Sequence, residues 1–453
     1  MTVTVRFAPS PTGNIHIGNA RTALMNWLFA RQRGGRFLLR YDDTDAARSK
    51  REFADQIAAD LAWLGIAPDA VYRQSERLAL YETAAQGLRR SGHLYPCYET
   101  AGELELRRKR QASLGKPPLY DRAALRLTQG ERVELEGKGR KPHWRFRLPN
   151  FDRDPLTPRR TEIGWNDLIR GPQAVDLASL SDPVLVREDG MATYTLSSVV
   201  DDIDLQVTHV IRGEDHVANT GVQIAIFSAL GAVAPAFAHH NLLTNASGEG
   251  LSKRLGSLSL KSLAADGYEP MAVASLAVLT GGAGIVEPLA DMDALAARFD
   301  LAGVSTSAAK FDVAELDRLN ARLVHRMEWR EAAPRFGPDA FGGRGAEFWP
   351  AVRENLSRAG GALELWDRFM AAPAAADPAN RDYLRQARAL LPAGDVGAET
   401  WGRWTADLGR ATGRKGRDLY LPLRKALTGM DHGPDMARLL PLIGRERILA
   451  RLP

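Results

Sequence analysis

The segment from the N-terminus to Tyr41 restricts most strongly how this chain can fold. Residues 3–7 have the alternating pattern of a β-strand and lead into a Pro- and Gly-rich turn, and residues 36–41 have the pattern of a second strand. Between them, from Gly18 to Arg33, apolar residues recur at the three- and four-residue spacing of an α-helix. Strand, helix and strand in so short a stretch predict a doubly wound parallel sheet, whose ligands bind beyond the carboxyl ends of the strands.

The rest of the chain predicts an insertion into this sheet and a helical second half. Residues 98–190 change character, with a basic run at 107–110 and a broken strand pattern at 143–148. Strand alternation returns at 207–212, so we expect the sheet to resume there. After residue 261, alanine, leucine and arginine recur with helical spacing, and residues 371–379 have the composition of a linker.

Composition excludes several classes of protein. The 453 residues, 45% hydrophobic and 25% charged, are typical of a soluble protein of about three domains, or of two domains with appendages. We find no apolar run long enough for a bilayer and no secretory signal pattern, which predicts a cytoplasmic protein without membrane contact. Cys97 is the only cysteine, so neither an intrachain disulfide nor a Cys-rich zinc site is expected. The net charge of +5, gathered in residues 321–453, fits a polyanion-binding module or a solvated helical surface.

Two segments have the chemistry of phosphate binding. Residues 16–19 (HIGN) begin the predicted helix after the turn, where free backbone N–H groups attract phosphate. Residues 248–254 (GEGLSKR) form a Gly-rich loop whose Lys253 and Arg254 could close over a polyphosphate. Neither the dinucleotide-binding glycine pattern nor the P-loop pattern occurs. Taken alone, the first segment is as consistent with a capping turn, and the second is more typical of a solvated basic loop.

Together, these motifs and their order resemble the bacterial glutamyl-tRNA synthetases, a family of class I aminoacyl-tRNA synthetases. The resemblance spans nearly the whole chain, and two of the motifs are similar to the HIGH and KMSKS signatures of that class. In chain order the matching motifs are residues 7–13 (FAPSPTG) with 16–19 (HIGN), 41–45 (YDDTD), 72–77 (YRQSER), 211–216 (IRGEDH), 251–254 (LSKR) and 416–429 (GRDLYLPLRKALTG).

The resemblance implies a set of residues that bind the amino acid substrate, L-glutamate. Asp42 stands where many members have a glutamate that receives the α-amino group, and Ser198 stands where some have asparagine. Guanidinium groups suit an acidic substrate because they pair with carboxylates in a planar, bidentate geometry. The implied glutamate-binding residues are Arg6, Ala8, Ser10, Asp42, Tyr194, Ser198 and Arg212.

The resemblance also implies an ATP site, with Mg²⁺ bound together with ATP. Gly250 takes the first position of the KMSKS-like motif, so one lysine of the family pattern is missing. The implied ATP-binding residues are His16, Gly18, Asp215, Leu243, Gly250, Leu251, Ser252, Lys253 and Arg254, of which His16, Gly18, Lys253 and Arg254 are the expected catalytic ones. Some members carry a Cys-based zinc site in the insertion, which the segment around Cys97 cannot supply, and we expect no zinc.

The implied fold and activity follow from the same resemblance. The expected fold is an α/β, Rossmann-type catalytic domain (1–97 and 191–240) with an inserted acceptor-end-binding domain (98–190). A KMSKS-loop and stem-contact domain (241–320) and an α-helical anticodon-binding region (321–453) follow. The expected enzyme is a monomer that activates glutamate as its adenylate and transfers it to the terminal adenosine of tRNA-Glu, tRNA-Gln or both. Trp401, Trp404, Arg403 and Arg417 are candidates for reading the anticodon.

Two other functions stay open at this point. A truncated paralogue that glutamylates a modified tRNA base lacks an anticodon domain, and the length of this chain disfavours it. An RNA-binding or regulatory module that kept the fold and lost its chemistry is favoured slightly by Gly250 and by the shortened Asp42. Single residues also have ordinary structural interpretations: Arg212 could pair with Glu214 at the surface, and Tyr194 could be a core residue.

Overall fold

The computed structural model describes residues 2–245, 248, 258–371 and 378–453. The chain divides into two compact units, Met1–Ala264 with Ala274–Asp312, and Ala265–Val273 with Val313–Pro453. The finer domain ranges expected within these units stay predictions.

The first unit begins with the parallel sheet that the sequence predicts. Its elements are β1 (Thr4–Phe7), α1 (Ile17–Gln32), β2 (Arg36–Tyr41), α2 (Arg51–Trp63) and β3 (Ala70–Arg73). Strand β2 pairs in parallel with both β1 and β3. All four residues of β1 are buried, as expected for a central parallel strand. The strand–helix–strand prediction is therefore confirmed to within a residue at most ends.

The next stretch is built differently, as its sequence predicts. It comprises α3 (Leu78–Arg90), β4 (Leu94–Cys97), α4 (Ala101–Ser113), α5 (Gln129–Gly137), β5 (His143–Phe146), β6 (Glu162–Asp167), β7 (Gly171–Asp176) and β8 (Val184–Val186). Strand β5 lies antiparallel between β4 and β8, and β6 and β7 form a hairpin. Antiparallel pairing interrupts the parallel sheet here, as an insertion would.

The parallel arrangement then returns. The elements are α6 (Tyr194–Asp204), β9 (His209–Gly213), α7 (Val217–Ala229), β10 (Ala236–His240) and β11 (Leu243–Thr244). Strand β9 pairs in parallel with β10. The N–H of Thr208 donates to the carbonyl of Thr4 at 2.9 Å, which joins this pair to the edge of β1. The prediction that the sheet resumes near residue 207 is confirmed.

The remainder is mainly helical, as predicted. Helices α8 (Leu260–Ala265), α9 (Pro270–Leu279) and α10 (Met292–Arg298) precede β12 (Ala309–Lys310), which pairs with β11. The following helices are α11 (Val313–Arg326), α12 (Trp329–Ala332), α13 (Gly345–Val352), α14 (Gly361–Met370), α15 (Arg381–Ala389), α16 (Ala398–Thr412), α17 (Arg417–Thr428), α18 (Met436–Ile443) and α19 (Arg445–Ala450). None of the helices in the described ranges is long and apolar enough to span a bilayer.

Trp349 and Trp404 lie fully buried in the core of the second unit. The indole N–H of Trp404 donates to the carbonyl of Ala387 at 2.8 Å. The prediction that Trp404 could contact an anticodon is wrong for this conformation, because its ring has no exposed face. Trp401 is half-buried and lies 6.2 Å from the ring of Tyr420, which is exposed.

Candidate active site

A cavity of about 530 Å³ lies beyond the carboxyl ends of β1, β9 and β10. This is where ligands bind in an open parallel sheet, because the connections after the strands diverge there. The sequence-predicted residues that line the cavity are Arg6, Ala8, His16, Gly18, Tyr194, Arg212, Asp215 and Leu243. The structure thus brings members of both sets, those implied for glutamate and those implied for ATP, to one site.

Three predicted residues are absent from the described lining of this cavity. Ser10 is exposed, and its carbonyl accepts the N–H of Thr12. Ser198 is buried and its hydroxyl accepts a hydrogen bond from Gln223 at 3.2 Å. Asp42 is buried beside Arg40. Their assignment to the substrate stays a prediction.

The KMSKS-like residues Gly250, Leu251, Ser252, Lys253 and Arg254 lie outside the described part of the chain. Their assignment to ATP stays a prediction as well.

The first turn of α1 is shaped by His16 and Gly18. His16 caps the helix, and its Nδ1 accepts the backbone N–H of Gly18 at 3.1 Å. A Cβ atom at Gly18 would come within 2.9 Å of the His16 ring, so only glycine leaves the ring in this position. Burial lowers the pKa of His16, which favours the neutral ring. With Nδ1 accepting, the proton is on Nε2 and can be donated to a ligand.

Arg212 is the strongest candidate for binding a carboxylate. Its guanidinium is buried, with Nε donating to His239 Nε2 at 3.1 Å and Nη2 to Thr220 Oγ1 at 2.7 Å. Its Nη1 has no hydrogen-bond partner among the described residues, although it is buried. Burial lowers the pKa of Arg212, and the neighbouring Tyr194 hydroxyl partly offsets this. A buried cation that lines a cavity with an unused donor calls for an anion.

The surface pairing considered for Arg212 does not occur. Glu214 accepts from Arg170 at 2.7 Å and from the backbone N–H of Leu242 at 3.2 Å. Tyr194 is not a core residue either, since it is 37% exposed. Both ordinary structural interpretations are therefore wrong.

A buried network of charges supports Arg6 at the cavity wall. Arg6 Nε donates to Asp202 Oδ1 at 3.2 Å, and Arg40 Nη1 donates to the same oxygen at 2.9 Å. Arg40 also contacts Asp42 at 2.8 Å and Asp201 at 3.4 Å. Because each charge has opposite charges beside it, the cluster can stay ionised away from water. The sequence reasoning missed Asp202, although its place in α6 after Tyr194 is a usable signal.

Arg21 is a further residue of the cavity wall that the sequence reasoning missed. Its Nη1 donates to the carbonyls of Ala277 at 2.6 Å and Thr280 at 2.8 Å, and its Nη2 donates to Asn241 at 2.5 Å. Burial lowers the pKa of Arg21 to about 10. These bonds connect α1 to the segments around residues 241 and 280. Arg21 lies three residues after Gly18, on the same side of the helix, and this spacing could have indicated a place at the site.

One group of potential metal ligands occurs among the described residues. Cys97, Glu99 and His143 place their ligand atoms within 4.8 Å of one another. Burial raises the pKa of the Cys97 thiol to about 12, and the Tyr120 hydroxyl donates to Glu99 at 2.8 Å. A protonated thiol is a poor zinc ligand. The expectation of no zinc stays a prediction.

Two family models match this chain, one over most of its length and one at its C-terminal part. Residues 2–318 match the model described as tRNA synthetases class I (E and Q), catalytic domain. Residues 362–453 match the model described as anticodon binding domain. The matches fall on the cavity-bearing part and on the helical C-terminal part, respectively.

The chain is also similar to curated and solved proteins over its full length. It is 60% identical to glutamate–tRNA ligase 1 of Chelativorans sp. and 58% identical to that of Brucella canis, covering 100% of each chain. A crystal structure of a glutamate tRNA ligase from Elizabethkingia meningosepticum in complex with its amino acid matches with a TM-score of 0.87 at 27% identity. That match covers 100% of this chain and 98% of the other.

Proposed function

Because the chain belongs to the class I tRNA synthetases (E and Q), we propose that it is a glutamate–tRNA ligase that joins L-glutamate to tRNA with ATP. Relatives named for this activity, at 58–60% identity over their whole length, support the assignment. The observation that carries it is the buried guanidinium of Arg212, a residue of the cavity lining whose Nη1 has no hydrogen-bond partner among the described residues.

Arg212 and Arg6 bind the carboxylates of glutamate. A planar guanidinium forms paired, charge-assisted hydrogen bonds with a carboxylate, and such bonds are stronger than those between neutral groups. Asp202 and His239 hold the two guanidiniums, so little side-chain freedom is lost when the substrate binds. The Tyr194 hydroxyl lies beside Arg212 and completes the acidic-substrate pocket.

The first step forms glutamyl-adenylate without a protein nucleophile. An oxygen of the substrate α-carboxylate attacks the α-phosphorus of ATP, and the bond to the departing pyrophosphate breaks. The protein contributes positioning and stabilisation of the growing negative charge. His16 donates from Nε2 at the start of α1, a helix end whose dipole attracts phosphate. Lys253 and Arg254 act on the same charge.

Mg²⁺ enters with ATP as part of the substrate. Among the described residues, the cavity lining contains no group of three histidine, cysteine or acidic side chains close enough to hold a metal ion. This fits an ion that is bound through the nucleotide phosphates, since Mg²⁺ commonly keeps its waters and takes few protein ligands.

In the second step the 2′-hydroxyl of the terminal adenosine of tRNA attacks the acyl carbon of glutamyl-adenylate, the bond to the phosphate oxygen breaks, and AMP departs. Residues 98–190 bind the acceptor end, and residues 321–453 bind the anticodon. The match of residues 362–453 to an anticodon binding domain supports this division. It also disfavours the truncated paralogue. The enzyme acts in the cytoplasm as a monomer.

Pyrophosphate exchange tests the proposal. Glutamate-dependent exchange between ATP and labelled pyrophosphate, with tRNA present, is expected, and exchange with glutamine or aspartate is not. Absence of exchange together with tight tRNA binding would support the RNA-binding module instead. Charging tRNA-Glu and tRNA-Gln side by side then identifies the tRNA that is served.

A further inference from the structure

A buried chain of three side chains leads from the β6–β7 hairpin to the cavity. Asp167, the last residue of β6, accepts from His239 Nδ1 at 2.5 Å, and His239 Nε2 accepts from Arg212 Nε at 3.1 Å. The side chains of Asp167 and His239 are fully buried. Neither lines the cavity, yet Arg212 does. Asp167 and His239 can therefore act on a ligand only through Arg212.

The hydrogen bonds fix the position of the proton on His239. Arg212 Nε can only donate, so the His239 Nε2 that faces it must be an unprotonated acceptor. The Thr220 hydroxyl, 3.1 Å from the same Nε2, is a compatible donor. The proton of the neutral ring is thus on Nδ1, where the Asp167 carboxylate accepts it. Burial lowers the pKa of His239, which keeps the ring neutral.

The Asp167 carboxylate is itself held rigidly. Its Oδ1 accepts three backbone N–H groups, those of Ile169 at 3.1 Å, Arg170 at 3.0 Å and His239 at 3.1 Å. Its Oδ2 is left to face the ring of His239. Burial opposes ionisation of Asp167, but the bond from His239 and these backbone bonds together lower its pKa to about 2. Asp167 is an ionised acceptor in a fixed position.

We propose that Asp167 and His239 are positioning residues for substrate selection, which set the tautomer of the imidazole so that Arg212 presents its guanidinium to the side-chain carboxylate of the amino acid. This inference rests on the proposed function and names two residues behind the substrate contact. In many enzymes a carboxylate orients a catalytic imidazole in the same way. Here the imidazole in turn orients a cation that binds substrate. By this proposal Asp167, a residue of the β6–β7 hairpin outside the cavity motifs, affects the affinity for the amino acid.

Asp167→Asn tests the tautomer directly. The asparagine Oδ1 can keep the three backbone bonds, while its NH₂ group replaces Oδ2 and must donate to His239 Nδ1. The ring proton then moves to Nε2 and faces Arg212 Nε, donor against donor. We expect the KM for glutamate in pyrophosphate exchange to rise about tenfold or more, with the KM for ATP changed less than about twofold.

The matched control is Asp176→Asn, at the other end of the same hairpin. Asp176 Oδ1 also accepts backbone N–H groups, from Thr161 and Ala178, but it does not contact a histidine. Its substitution should leave both KM values unchanged. An equal rise for the two variants would mean that the hairpin only supports the fold and would overturn the inference.

A second substitution separates a tautomer effect from general damage. His239→Gln offers an amide oxygen near the position of Nε2, which can accept from Arg212 whatever residue 167 is. We expect Asp167→Asn with His239→Gln to have a lower glutamate KM than Asp167→Asn alone, a non-additive result. A double variant worse than Asp167→Asn, or an unchanged KM in Asp167→Asn, would refute the positioning role. Wild-type protein without glutamate-dependent exchange would instead refute the proposed function.

Discussion

Arg40 binds both oxygens of Asp42, donating from Nε to Oδ1 at 2.8 Å and from Nη2 to Oδ2 at 3.3 Å. Burial raises the pKa of Asp42, and Arg40 opposes this rise. Asp42 is the position implied for contact with the α-amino group of the substrate, and its side chain is one methylene shorter than glutamate. The carboxylate is therefore fixed in place by Arg40, and its remaining lone pairs are what an ammonium group could use.

Arg40→Met should destabilise the protein strongly. The substitution would remove the guanidinium that pairs with the buried carboxylates of Asp42, Asp201 and Asp202. Removing one partner of a buried ion pair lowers the free energy of unfolding by about 3 kcal/mol or more. The control is Arg48→Met, which breaks an exposed pair with Asp45 and should cost less than about 1 kcal/mol. Urea unfolding followed by circular dichroism measures both; similar midpoints would show that the buried network is not needed.

Arg212→Lys should raise the KM for glutamate and leave the KM for ATP nearly unchanged. Lysine keeps the charge but loses the planar fork, at a cost of about 2 kcal/mol, or about thirtyfold in kcat/KM. Pyrophosphate exchange at varied glutamate measures this, with the exposed Arg33→Lys as control. An unaltered glutamate dependence would remove Arg212 from the substrate site.

Gly18→Ala should impair use of ATP. The added Cβ would lie 2.9 Å from His16 Cε1 and displace the ring whose Nε2 we assign to the phosphates. We expect kcat/KM for ATP to fall at least about tenfold with little change in the KM for glutamate. Gly87→Ala in α3 is the control, because a Cβ there meets no atom within 4 Å. Equal activity of the two variants would contradict the role given to His16.

Lys253→Ala should lower kcat for pyrophosphate exchange by about a hundredfold or more, with a smaller effect on ATP affinity. This is expected if the ammonium group stabilises charge that develops only in the transition state. The rate of pyrophosphate exchange at saturating ATP measures the effect on turnover, and parallel ATP binding measurements give the effect on affinity. Loss of ATP binding with turnover retained would mean that the cation holds only the ground state, and Arg254 would be the better candidate.

The parts of the site that were predictable are those that follow strands of the sheet. Because parallel strands end at one edge, ligands were expected beyond the carboxyl ends of the strands, and the residues that follow β1 and the GEDH segment at the end of β9 do line the cavity. Asp167 was not predictable, because its hairpin lies in the segment whose pattern indicates an insertion. Its packing against β10 is a tertiary contact without a sequence period. Likewise, helical spacing puts Trp401, Trp404 and Leu408 on one face but does not say which ring is covered.

The C-terminal helices offer a test of tRNA contact that does not depend on the cavity. Arg403 on α16 and Arg417 at the start of α17 are exposed, near the half-buried Trp401 in sequence. If they contact phosphates, replacing both by serine should weaken tRNA binding and make its salt dependence shallower, by about 0.7–0.9 in the slope of log K against log salt for each lost contact.

Arg385→Ser, which removes an exposed arginine paired with Asp382, serves as the control for the two arginines. Filter binding of tRNA over a range of salt gives the slope, and pyrophosphate exchange at saturating tRNA should be retained in both the double variant and the control. A weaker affinity with the wild-type slope would assign Arg403 and Arg417 to contacts with bases rather than phosphates, since only the release of counterions from the phosphates changes the slope.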